Sequence, residues 1–99
     1  MSLLYATSRE TLDSIIDNCI TWIPEWAPEY RKEEAKKMWM YKKAEDFVLG
    51  LTIGMIYANF ESFFLTTHRR QLDPQERVEV MTIIFQRLPQ IKEALFGSG

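Results

Sequence analysis

Apolar positions recur at helical spacing along almost the whole chain. Leu12, Ile15, Ile16, Cys19, Ile20 and Ile23 step by three and one residues, while Glu10, Asp13, Asp17, Asn18 and Thr21 take the opposite side. Thr7-Ser8-Arg9-Glu10 reads as a capping box, with a hydroxyl and a carboxylate serving first-turn amides. The pattern predicts a first helix over 8–23. Pro24 and Pro28 then bracket a turn that carries Glu25, Trp26 and Ala27.

No proline follows Pro28 until Pro74, and the helical pattern runs from 29 to 68. Glu29, Glu33 and Glu34 lie early in that stretch, and His68, Arg69 and Arg70 end it, both in accord with the helix dipole. A heptad seam reads Tyr41, Ala44, Val48, Leu51, Met55, Ala58, Ser62 and Leu65. Leu49, Ile53, Ile56, Phe60 and Phe63 form a second stripe, so segment 47–60 is apolar nearly all round and is expected to be buried on more than one side. A helix of that length spans about 60 Å, against a radius of gyration of about 13 Å for a compact domain of this size. It must kink, with Gly50–Gly54 the weakest place, or lie along a second chain.

Leu72-Asp73-Pro74-Gln75-Glu76 is the clearest start signal: Asp73 caps, Pro74 takes the first helical position and Glu76 closes the box. Val78, Met81, Ile84, Phe85 and Leu88 give the next helix an apolar face. Pro89 interrupts it by removing an amide, and a short piece over 90–96 follows with Ile91, Leu95 and Phe96. No strand, repeat or low-complexity block is readable. The expected fold is all-α: a three-helix bundle-like single domain over 1–96. It has a short first helix (8–23), a long central helix (29–68), a Pro-interrupted third helix (74–96) and a disordered tail, 97–99.

Small residues at Gly50, Gly54, Ala58 and Ser62 form a ridge at four-residue spacing. Each helical glycine costs about 1 kcal/mol relative to alanine, so the pair calls for a close approach by another helix, within the chain or from a second copy. Gly50, Gly54, Ala58 and Ser62, flanked by Leu51 and Met55, are the expected helix-packing or dimer interface. A membrane span carries the same signature. However, the strictly apolar run is about 14 residues against the roughly 20 needed, and Asn59 and Glu61 are expensive in lipid.

Composition narrows the chemistry. Of 99 residues, 46% are apolar and 13% aromatic, which is rich for the length and leaves apolar surface for a partner. A net charge of −2 predicts no general attraction to nucleic acid or to an anionic membrane. The basic-aromatic stretch 31–43 holds Lys36, Lys37, Lys42 and Lys43 around Trp39 and Tyr41, which could contact phosphates and stack on bases. Glu33 before Lys36 and Lys37 supplies ordinary helix pairs instead, so nucleic acid is the lesser reading. The single cysteine, Cys19, fits a reducing compartment, and the N-terminus lacks a secretory pattern, so a cytoplasmic location is expected.

His68 has no second histidine or nearby cysteine, and no zinc spacing exists. Glu10, Asp13 and Asp17 read as a solvated acidic face. Glu61, among Phe60, Phe63, Phe64 and Leu65, either points out of the bundle or is a buried carboxylate, with an arginine such as Arg87 as one partner it could meet. Phosphate loops, nucleophile elbows and H-E-x-x-H are absent. No enzyme activity, cofactor or metal is expected. The sequence reads as a small soluble helical protein–protein interaction module, homodimeric. The alternatives are a nucleic-acid-binding regulator using 31–43 and a small membrane-associated helical protein.

Overall fold

A computed structural model describes residues 4–97 and is all-helical, with no strand among the described residues. Five α-helices and one 3₁₀ turn follow in order: α1 (Ala6–Trp26), the turn Ala27–Arg31, α2 (Glu33–Trp39), α3 (Ala44–His68), α4 (Pro74–Gln86) and α5 (Leu88–Phe96). The described residues extend over 42 × 27 × 20 Å, with a radius of gyration of 14.8 Å.

The expected central helix over 29–68 is three separate pieces. The break falls at Met40, which takes the left-handed conformation (φ 62°, ψ 38°), not at the glycines, through which α3 runs uninterrupted. Tyr41 sits outside any helix. Its ring stacks on Phe47 at 4.0 Å, and its hydroxyl donates to the Tyr30 carbonyl. These two contacts turn the chain and set the entry to α3, where Lys43 is extended and its carbonyl accepts from the Phe47 amide at 3.2 Å. The break also removes the length problem. The 25 residues of α3 span about 37 Å and fit the long dimension of the molecule.

The first helix also departs from expectation. It begins two residues earlier than 8 and runs through Pro24 to Trp26 instead of ending at 23. Pro24 has no amide to donate to the carbonyl four residues back. The buried residues Ile23 and Ala27 nonetheless hold the last turn, and the Ala27 amide donates to the Ile23 carbonyl. The Thr7–Glu10 capping box does not form: Tyr5 precedes α1 and provides no side-chain cap. The box at Asp73–Glu76 forms as read, with the Glu76 amide donating to Asp73 Oδ1 at 2.7 Å and the Asp73 amide to Glu76 Oε1 at 2.9 Å. Pro89 splits the expected 74–96 helix into α4 and α5 at Arg87. Gly97 (φ 68°) ends α5, with its amide on the Glu93 carbonyl. Met1-Ser2-Leu3, on which the absence of a secretory pattern was read, and the last two tail residues lie outside the described residues.

Contacts fix the chain directions. The start of α1 meets the end of α3, where Ser8 and Tyr5 touch His68. Arg87, between α4 and α5, reaches Asp13 and Asp17 midway along α1, at 3.4 Å from Asp13. At the other end Arg31 donates to the Leu95 carbonyl and satisfies the end of α5. Thus α3 runs antiparallel to α1 and to the α4–α5 pair. Leu12, Ile16 and Ile23 of α1 meet Val48, Ile56, Phe60 and Phe64 of α3, Val80, Ile83 and Ile84 of α4, and Ile91 and Leu95 of α5 in one core.

Two expected faces are rotated. In α3 the buried line is Ala44, Val48, Thr52, Ile56, Phe60 and Phe64, every fourth residue. Of the heptad seam only Ala44 and Val48 lie on it; Leu51 and Met55 are half-buried, and Ala58, Ser62 and Leu65 are exposed. Segment 47–60 is buried along one side, not several. In α4 the core takes Glu76, Val80, Ile83 and Ile84, while Val78, Met81 and Phe85 face solvent. Apolar residues occur on both sides of α4, so periodicity alone selects no face.

Candidate interaction surface

The small-residue ridge lies on the side of α3 away from the core. Gly50, Gly54, Ala58 and Ser62 are all exposed, each two positions on from a buried residue of the line Val48, Thr52, Ile56, Phe60. A two-residue step turns a helix by about 200°. A Cβ built on Gly50 or Gly54 meets nothing within 4 Å. Among the described residues no helix of the same chain packs closely on Gly50 or Gly54, and Ala58 and Ser62 are exposed. Leu51 and Met55, half-buried, border it.

Beside the ridge lies a groove of about 600 Å³ between α1 and α3, walled by Ile15, Cys19, Trp22 and Trp26 from α1 and by Met55, Asn59 and Phe63 from α3. Trp22 is 55% exposed and is held upright by its indole N–H, which donates to Asn18 Oδ1 at 3.3 Å. Cys19, on the apolar side of the first helix, is half-buried in this wall, and burial pushes its thiol pKa up. On the opposite flank of α3 the pKa of Tyr57 is raised, by burial first and then by the charge and hydrogen bond of Glu61, with Arg77 of α4 opposing. Glu61 thus meets Tyr57, and the expected partner Arg87 is engaged by Asp13 and Asp17. The acidic face of α1 is in that part neutralised, not simply solvated.

Of the most apolar 18 residues in α3, only 28% are buried, and by length and composition the helix could cross a membrane. The run tolerated by that measure is longer than the strictly apolar one read from the sequence. It is the only helix among the described residues with this property.

A polar cluster closes the end of the bundle where α1, α3 and α4 meet. His68 Nε2 lies 3.1 Å from Ser8 Oγ, and the ring sits between Tyr5 (4.6 Å) and Phe64 (4.5 Å). Arg70 grips Glu76 with two bonds of 2.7 and 3.0 Å and lies over the Phe64 ring at 4.9 Å. Arg70 and the Asp73 amide hold the Glu76 carboxyl at about 2. A serine beside a histidine suggests nucleophilic chemistry, but Ser8 is fully buried, so no substrate can reach its Oγ. The cluster is a clasp that ties α1 to the α3–α4 corner. Sequence reasoning missed it because the two residues are 60 positions apart and Ser8 is hidden in what reads as a cap. No group of three or more His, Cys, Asp or Glu among the described residues could hold a metal.

The four basic candidates cluster at the opposite end, around the α2–α3 corner. Lys36 pairs with Glu33 at 3.4 Å, while Lys37, Lys42 and Lys43 are exposed and make no ion pair among the described residues. Between them Met38, Trp39 and Met40 are 73%, 57% and 89% exposed. No residue of α2 is buried.

The chain matches no family model, no curated protein and no solved structure. Its function must be read from its own geometry.

Proposed function

We propose that this protein is a small helical interaction module that associates with a second copy of itself through the outer face of α3, without catalytic activity. The observation that carries the reading is the emptiness around Gly50 and Gly54. Both sit inside a helix, where alanine is worth about 1 kcal/mol more per position, and beyond the backbone of its own helical turns a Cβ at either would meet no described atom within 4 Å. No packing against another part of the described fold accounts for them, and close approach of another backbone is what a glycine ridge permits.

The flanks support the same reading. Leu51 and Met55 border the ridge, and Trp22 overhangs the neighbouring groove. A two-fold axis through α3 would bring identical ridges together, the isologous arrangement commonest among oligomers. The three-run antiparallel layout, with α2 as an outlying piece, leaves that face uncovered.

Sedimentation velocity over a range of concentrations tests the proposal. A species of twice the 11.7 kDa chain mass is expected at micromolar concentration. A single monomeric species throughout would overturn it.

A further inference from the structure

Met38, Trp39 and Met40 form an apolar knuckle that no other described part of the chain covers: they are 73%, 57% and 89% exposed. The knuckle is a built feature. Met40 holds a left-handed conformation (φ 62°) that a non-glycine residue adopts at a cost. Tyr41 locks it by stacking on Phe47 at 4.0 Å and donating to the Tyr30 carbonyl. Two methionines and a tryptophan are thereby pushed outward from a fixed corner.

Charge surrounds the knuckle. Lys36, Lys37, Lys42 and Lys43 lie within one eight-residue segment that contains no acidic residue. Glu33 engages Lys36, and Glu34, Glu45 and Asp46 lie just beyond the segment's ends, leaving Lys37, Lys42 and Lys43 outside any ion pair among the described residues. An apolar tip flanked along the chain by the unpaired Lys37 on one side and Lys42 and Lys43 on the other is complementary to an anionic lipid interface. There tryptophan and methionine enter the acyl boundary while ammonium groups meet headgroups. A nucleic-acid strand would use the lysines and Trp39 but leave two exposed methionines without a role.

From this geometry we infer that the α2–α3 corner is a peripheral docking site for an anionic bilayer surface. The chain attaches through its tip and does not span. Each unpaired lysine is worth roughly a five-fold gain in partitioning near an anionic surface, about a hundred-fold for the three together.

Flotation of the full chain with vesicles tests this. At low salt the protein is expected to float with mixed phosphatidylcholine–phosphatidylserine vesicles, to stay behind with phosphatidylcholine alone, and to be released by raised salt. Changing Lys37→Gln, Lys42→Gln and Lys43→Gln together should lower partitioning by about a hundred-fold. Changing Met38→Ser with Met40→Ser should lower it at least ten-fold while leaving any affinity for a generic DNA duplex unchanged. All these side chains are exposed, so circular dichroism should show the fold intact. No flotation with the anionic vesicles, or flotation indifferent to both variants, would overturn the inference. Lysine-dependent binding to DNA without binding to vesicles would assign the corner to nucleic acid instead.

Discussion

Gly50→Ala combined with Gly54→Ala separates what the chain needs from what an assembly needs. Beyond its own helical turns, a methyl group at either position meets no described atom within 4 Å, so the only intrachain effect is on the helix itself. Each replacement is worth about 1 kcal/mol, part of it through the restricted unfolded chain, and the pair about 2 kcal/mol. In a domain of this length 1 kcal/mol moves the midpoint by about 4–8 °C, so the dilute double variant should melt on the order of 10 °C higher. The same change has the opposite sign in an assembly. Two methyls from each of two chains enter a contact made by backbone, forcing the helices apart, and the dissociation constant should rise about ten-fold or more. Thermal denaturation at low concentration and sedimentation over a concentration series read the two effects separately. An unchanged association constant would refute the ridge as an interface. A lowered midpoint in the dilute limit would refute the claim that the space above α3 is empty.

Three further outcomes follow from the core, the clasp and the groove. Glu76→Gln removes the carboxylate that Arg70 grips. Its carboxyl is held at about 2 in the fold against an ordinary 4.5, so its contribution is fully present above pH 4.5 and is lost as the pH falls from there toward 2. With Arg70 43% exposed and screened by water, the contribution is about 1–2 kcal/mol. Urea titrations at neutral and acidic pH should show the variant less stable at pH 7 and flatter below 4.5; parallel profiles would refute the pairing. Phe60→Ala empties a fully buried site in the core and should cost about 3–5 kcal/mol, a large share of the roughly 5–15 kcal/mol ordinary for a domain, and lower the thermal midpoint by more than about 10 °C; an unchanged midpoint would refute the burial of that ring. Cys19, whose thiol burial holds above its usual pKa, should alkylate near pH 8.5 several-fold more slowly in the fold than in denaturant, and equal rates would contradict its half-buried place in the groove wall.

Much of the secondary structure was legible because it rests on local chemistry. The Asp73–Glu76 box needs only neighbouring residues, and it forms where it reads. The apolar periodicity of α1 carries directly into its buried positions Leu12, Ile16 and Ile23. The break at Met40 was not legible, since neither glycine, asparagine nor proline marks it. It is made by the Tyr41 ring on Phe47 and the Tyr41 hydroxyl on the Tyr30 carbonyl, contacts that apolar periodicity does not encode. The face of α4 was ambiguous because Val78, Met81 and Phe85 on one side look as buriable as Val80, Ile83 and Ile84 on the other. The ridge was visible as a spacing, but its direction depends on which side of α3 meets α1 and α5, which only the packed chain decides.

The four-residue spacing along α3 has a consequence for shape. Residues four apart are displaced by about 40° around a 3.6-residue helix, so both the buried line from Ala44 to Phe64 and the ridge from Gly50 to Ser62 wind around the rod. Rows of that kind are inclined about −26° to the axis, and helices that mesh along them cross at about −50°. Any helix that follows the ridge of α3 therefore crosses it as one blade of a scissor crosses the other. The ridge from 50 to 62 rises only about 18 Å, and beyond it the two axes diverge. An assembly built on this face would be an open X with four free arms, its α2–α3 corners held well apart, not a pair of rods joined along their length.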